Sequence, residues 1–131
     1  MSDYRKLEVW RKAHALALNA HRVATEIRDR HCASLRSQII RSAMSIPANI
    51  VEGREQRSDA GFARFLRIAL GSSSELEYHV RLALEINAIS FEDHTALSAQ
   101  AVEVRMMLHG LLRRIEPEAQ HREPRADKSV S

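Results

Sequence analysis

Five polar residues, Gln38, Arg41, Ser45, Asn49 and Glu52, follow one another at steps of three, four, four and three. Steps of that size put side chains on one face of an α-helix, so the five form a polar stripe beside an apolar one. An Arg and a Glu on such a stripe either hold a ligand or fix the helix against its neighbour. Register or subunit packing is the simpler use. Further along stand Gly71, Ser72, Ser73 and Glu75, whose hydroxyls invite a test for nucleophilic chemistry. That chemistry needs a base held against the serine, and the only histidine near these levels is His79, about two turns away. Small residues that let two helices approach, with hydroxyls that cap loosened backbone groups, are the better reading.

The seven histidines pose a metal question. His14 and His21 stand two turns apart, and Glu75 and His79 one turn apart, but the paired Glu-x-x-His motifs of a di-iron bundle are missing. The sole instance, Glu118 to His121, falls near the C-terminus. Surface histidines are expected, with no metal, no cofactor and no catalytic residue.

The elements that carry these residues are helical. Only four Gly and three Pro occur, aromatics make up 5%, and hydrophobic residues make up 44%, enough for one continuous core in 131 residues. From about Lys6 to Asp29, the residues Val9, Trp10, Ala13, Ala17, Ala20, Val23, Ala24 and Ile27 recur with the period of a buried helix face. Leu35, Ile39, Ala43, Met44, Ile46, Ile50 and Val51 resume it, with Ser34 as N-cap and Gly53 as stop. Pro47 lies inside this second helix and predicts a kink near Ser45.

Ser58 is placed to cap a third helix with the stripe Phe62, Phe65, Leu66, Ala69, Ser73, Leu76, Val80, Ala83 and Asn87, ending near Asn87 and Ala88. Ser90 and Asp93 approximate a capping box, after which Leu97, Ala101, Val104, Leu108, Leu111 and Ile115 step without interruption. The expected architecture is an all-α, antiparallel up-down-up-down four-helix bundle over residues 1–115, with a disordered tail over 116–131. With helices two and three folded back about a turn near residues 56 and 57, equal rise sets Arg41 level with Ser72 and within a turn of Glu75. The spacing predicts an Arg41–Glu75 salt bridge, with Gln38, Ser45 and Asn49 completing a partly buried network. Removing one partner of such a pair costs on the order of 3–5 kcal/mol.

Three stretches carry a family likeness: Leu7-Glu8-Val9-Trp10, the run from Arg41 through Ser45, Ile46, Pro47, Ala48, Asn49 and Glu52 to Gly53, and the run from Phe65 through Gly71 and Ser72 to Leu76. Together they resemble the four-helix bundle proteins encoded in intervening sequences of bacterial 23S ribosomal RNA genes. Those are similar in fold to the accessory variability protein of diversity-generating retroelements. The resemblance covers roughly residues 4 to 115. It implies a homopentameric barrel and, through the retroelement relative, binding of nucleic acid and of a reverse transcriptase.

The net charge is only +3, but the cations are 17 Arg against 3 Lys. Arginine serves phosphate contacts and interhelical ion pairs equally well. In the expected topology one pole collects Arg5, Lys6, Arg11, Lys12, Arg54, Arg57, Arg64, Arg67, Arg113 and Arg114. Asp3, Glu8, Glu52, Glu55, Asp59 and Glu116 dilute that pole but leave it basic, while Glu77, Glu85, Glu92 and Asp93 lie in the opposite half. A ring of such poles would bind RNA or DNA backbones in a salt-sensitive way. The competing account is solvated charge, with Arg near helix C-termini serving the macrodipole. No interleaving of aromatic with basic residues points to base stacking. Apolar residues off the main stripes, Ala99, Val102 and Met106 on helix four and Leu82, Ile86 and Ile89 beyond helix three, predict a partner surface.

Two rival functions remain. Helical ribonucleases that pair with antitoxins carry Arg, four to six residues, then His; Arg105 and His109 come close, with three between them. An adaptor for another protein is the other. The lone Cys32 fits a reducing compartment, and no stretch reads as a signal core or a membrane span, so a cytoplasmic protein without membrane partners is expected.

Overall fold

The computed structural model describes residues 3–116, with the Lys6 side chain excluded. Four helices occupy almost all of it: α1 (Glu8–Thr25), α2 (Ala33–Arg54), α3 (Asp59–Glu85) and α4 (Phe91–Ile115). Short 3-10 turns at Tyr4–Lys6 and Arg30–Cys32 lead into α1 and α2. The described residues contain no strand. Of the tail expected to be disordered over 116–131, Glu116 is described and its N–H donates to Leu112 O, while residues 117–131, with Glu118 and His121, lie outside the described residues.

Each helix packs on two others in the cyclic order α1, α2, α3, α4, and the backbones of the diagonal pairs do not approach closely. Side-chain contacts give the directions. Lys12 meets Glu103, Asn19 meets Gln100 and Arg22 meets Asp93, so residue numbers rise along α1 as they fall along α4. Gly53 abuts Phe62 while Arg41 reaches Glu75, which makes α2 and α3 antiparallel. Arg67 meets Glu116 and Glu77 meets Arg105, which does the same for α3 and α4. The up-down-up-down bundle is therefore the fold.

The core is the apolar stripe of each helix. Leu16, Ile39, Ile46, Ile50, Leu66, Leu76, Leu97 and Leu108 are fully buried, and each contributes about 1.5–3 kcal/mol by leaving water. The expected stripes hold except at particular residues. Leu16 and Leu112 are core positions that the stripes omitted, whereas Met44 is exposed and Asn87 stands at the surface beyond the end of α3. Asn87 has φ 63° and forms the left-handed turn after α3, with Ala88 N–H donating to Ala83 O and Asn87 N–H to Leu84 O. Asparagine tolerates that region better than most residues, so its place is a cap rather than a stripe.

Two caps form as the spacing predicts: the Ser58 hydroxyl accepts from Gly61 N–H and that of Ser90 from Asp93 N–H, both at 3.0 Å. Ser34 does not cap α2. The helix begins a residue earlier, and Asp29 instead accepts from His31 N–H at 2.9 Å to start the preceding 3-10 turn. α2 continues through the buried Pro47 to Arg54. Gly53 is not its stop either, because it lies inside α2 in its final turn. A Cβ there would sit 2.9 Å from Phe62 Cδ1, 3.0 Å from Phe65 Cβ and 3.2 Å from Phe62 O. Gly53 is what allows α2 and α3 to close together beside their connecting turn. Gly71 does the opposite of what its small size suggested, since a Cβ added there meets nothing within 4 Å.

Candidate nucleic-acid interface

The polar stripe of α2 faces α3 and forms a chain of hydrogen bonds. Arg41 donates to Gln38 Oε1 from both Nε and Nη2, and Nη2 also binds Glu75 Oε2. A turn further on, the Ser45 and Ser72 hydroxyls lie 2.7 Å apart, and Asn49 Nδ2 donates to Ser45 O and Oγ. The register differs from the expected one by about a turn, since Ser72 meets Ser45 rather than standing level with Arg41. Ser72 and Ser73 are buried, and Ser73 Oγ points to Ala101 O at 3.5 Å. Glu52 is exposed and takes no part through its side chain. Burial also departs from expectation at the ion pair: the Arg41 side chain is 54% exposed and that of Glu75 38%. The stranded-charge cost expected for a buried pair does not apply, because water solvates both groups. His79 Nε2 approaches the same Glu75 carboxylate at 3.5 Å, well away from the paired serines.

The basic pole gathers the start of α1, the end of α2, the start of α3 and the end of α4. A recess of about 180 Å³ lined by Leu7, Glu8, Val9, Met107, Gly110, Leu111 and Arg114 joins the first to the last. Its ten cations fall into distinct groups. Arg5 binds Asp3 at 3.1 Å, and this hydrogen bond, with the carboxylate's charge, raises the guanidinium above its usual pKa. Arg11 meets Glu8 at 3.5 Å and donates to Arg5 O at 3.0 Å, Lys12 meets Glu103 at 3.4 Å, and Arg67 binds Glu116. Arg54 lies over the Phe62 ring at 5.8 Å and Arg64 over Phe65 at 5.1 Å, contacts that leave their charge unneutralised. Arg57, Arg113 and Arg114 are exposed and have no ion pair among the described residues. The Lys6 side chain lies outside the described residues.

The opposite tip is balanced by comparison. Arg22, Arg28, Arg30, Arg36 and Arg81 stand there with Glu26, Asp29, Glu85, Glu92 and Asp93. Arg22 is tied to both Glu26 and Asp93, and the hydrogen bond to Asp93 raises its pKa. Arg36 donates to Ile27 O at 2.6 Å.

Arg105 Nε donates to Glu77 Oε2 at 3.0 Å across the α3–α4 seam, with His109 exposed one turn further on. Glu103 has no place in the sequence reading, and Glu77 and Glu116 enter it as acids of one half or the other, not as partners of Arg105 and Arg67. Their signal is antiparallel register between α4 and its two neighbours, which can be counted only once the turns are known. Among the described residues no three His, Cys, Asp or Glu side chains come together to hold a metal ion, and no helix is long and apolar enough to cross a membrane.

The apolar surplus lies where it was expected on α4. Ala99, Val102 and Met106, the last 64% exposed, line a shallow surface depression of about 750 Å³ with Ser98, Glu103 and Met107. Ile86 and Phe91 are exposed at the turn between α3 and α4.

Known proteins share this arrangement. The backbone is similar to the crystal structure of a protein of unknown function from the S23 ribosomal protein family of Bacteroides thetaiotaomicron, with a TM-score of 0.76 and 26% identity over 80% of this chain and 98% of the other. Comparison with curated proteins finds no match. The family described as 23S rRNA-intervening sequence protein matches residues 5–110, which takes in the α2 stripe, the Gly53 junction and most of the basic pole. The chain belongs to the 23S rRNA-intervening sequence protein family.

Proposed function

We propose that the protein is a non-enzymatic, cytoplasmic, homo-oligomeric accessory bundle that binds nucleic-acid backbones through its basic pole. The observation that carries this reading is the convergence of Arg57, Arg113 and Arg114 at one end of the bundle, without carboxylate partners among the described residues. Arg54 and Arg64, held over aromatic rings, add two more unneutralised charges. Arginines that meet phosphates release the counterions condensed on the nucleic acid, which gives affinity without base recognition.

The oligomer is supported by the exposed Ala99 and Met106 and the half-buried Val102 on α4, a stripe the bundle's own core does not use. Repetition around a ring, five copies on the family likeness, multiplies a modest pole into a broad positive face. Arg105 is engaged with Glu77, which disfavours it as a phosphate ligand for the rival ribonuclease.

The test is retention of labelled RNA by the full-length protein at low and high salt, with the RNA recovered and sized afterwards. Salt-sensitive retention of intact RNA is the expected result. Cleavage that disappears in His109→Ala would replace this reading with the ribonuclease, and absence of both retention and cleavage would leave the adaptor.

A further inference from the structure

The N-terminal segment interleaves aromatic and basic residues over a short span, contrary to the expectation from the sequence as a whole. Tyr4-Arg5-Lys6 and Trp10-Arg11-Lys12 repeat an aromatic residue followed by two bases. The 3-10 turn at Tyr4–Lys6 packs on both α1 and α2, and Arg11 Nε donates to Arg5 O, which folds the first aromatic back onto the second. Their rings meet edge to face with centroids 5.1 Å apart. The Trp10 indole in turn stacks on His14 at 4.8 Å with only 10° between the planes. Three rings thus form one continuous assembly at the end of α1 that belongs to the basic pole.

That assembly lines a groove between α1 and α2 of about 370 Å³, within the size range of small-ligand clefts. Leu18, Met44 and Val51 extend it with apolar surface, and none of its lining residues is a carboxylate. Arg5 and Arg11 directly follow Tyr4 and Trp10 in the chain and are joined by the Arg11 Nε to Arg5 O hydrogen bond; their side chains are mostly exposed, each bridged to one acidic neighbour, Asp3 and Glu8. An apolar aromatic groove whose Tyr4 and Trp10 are each followed in the chain by an exposed arginine is complementary to a strand that carries flat bases and phosphates together. A base-paired helix keeps its base faces stacked inside and has no ring face to offer the groove.

From this geometry we infer that the α1–α2 groove is a base-stacking site, and that the pole takes single-stranded nucleic acid with at least one base inserted against the Tyr4, Trp10 and His14 rings. The inference rests on the proposed function, which supplies the phosphate contacts, and adds the class of ligand. Binding then depends on bases as well as charge, with little preference among the four, because every base presents a ring face.

Trp10 is the only tryptophan in the chain, so its emission reports on the groove directly. Full-length protein is titrated with oligouridylate, with an abasic strand of the same length and with an RNA duplex of that length. The expected result is a change in Trp10 emission with oligouridylate alone, and weaker binding of the abasic strand. Tyr4→Ala should weaken oligouridylate binding roughly tenfold while leaving the abasic strand's affinity unchanged. His14→Ala, at an exposed position, should act in the same direction and guards against misfolding of the Tyr4 variant.

Equal affinity for the abasic strand with no response from Trp10 overturns the base site and leaves the phosphate-binding pole standing. No binding of any of the three removes both. An emission change that follows protein concentration without nucleic acid shows the groove covered by a second copy, and also overturns the inference.

Discussion

Arg41 on α2 and Glu75 on α3 form an ion pair across the α2–α3 seam, yet both side chains remain substantially in water. The pair sits at the outer edge of a polar seam whose inner members, Ser45 and Ser72, share a hydrogen bond. Its energetic role therefore differs from that of a buried pair. Arg41→Ala should lower unfolding free energy by about 0.2–1 kcal/mol, as for exposed pairs, rather than by several kcal/mol. Urea denaturation of the variant beside the parent measures it, and a loss above roughly 3 kcal/mol would mean that the pair behaves as buried.

Two glycines should respond in opposite directions to the same substitution. Gly53→Ala drives a methyl to 2.9 Å from Phe62 Cδ1 and 3.0 Å from Phe65 Cβ, both on the neighbouring helix. Overpacking of this sort destabilises by about 1–3 kcal/mol. Gly71→Ala meets open space on the exposed side of α3, so the gain in helix propensity should raise stability by about 0.5–1 kcal/mol. Thermal or urea unfolding of both variants decides, and equal effects would contradict the packing at the α2–α3 junction.

The hydroxyls of Ser58 and Ser90 each satisfy one free N–H in the first turn of a helix. Ser58→Ala and Ser90→Ala should each cost about 1 kcal/mol, with Gly at either site costing only a few tenths. Ser34→Ala should be nearly neutral by comparison, since Asp29 starts the turn that leads into α2. Parallel denaturation curves of the three alanine variants separate the capping serines from the non-capping one.

Met106→Arg places a charge in the exposed stripe of α4 without touching the core. On the proposed oligomer, sedimentation analysis should show the variant at lower mass than the parent, with unchanged helical content. A parent that sediments as a monomer, or a variant that assembles as the parent does, would remove α4 as the interface.

Much of this fold is legible from periodicity. The stripe on α4 was complete except for Leu112, and the ends of α3 were marked by Ser58 and Asn87, because those signals are local to one helix. What could not be read is set between helices. Gly53 looks like a helix stop in sequence, and only the approach of Phe62 and Phe65 from α3 reveals it as a packing residue. The Arg41–Glu75 partnership could be counted from the turn, but its exposure could not, since burial depends on how far the seam opens to solvent. The pole's topology followed from helix order, while the neutralising partners Glu103 and Glu116 depended on register across α4. The Tyr4–Trp10 contact required the 3-10 turn that brings the first aromatic back onto α1.

The claim on which the functional account depends is that Arg57, Arg113 and Arg114 meet phosphates. The direct measurement is the salt dependence of RNA affinity for the parent and for the triple variant Arg57→Glu, Arg113→Glu and Arg114→Glu, both checked for helical content. For each protomer engaged, the slope of log K against log salt should become shallower by about 2 to 3 in the variant, at ~0.7–0.9 per lost phosphate contact, and affinity at low salt should fall steeply. An unchanged slope and affinity in a folded variant would show that the pole does not bind nucleic acid.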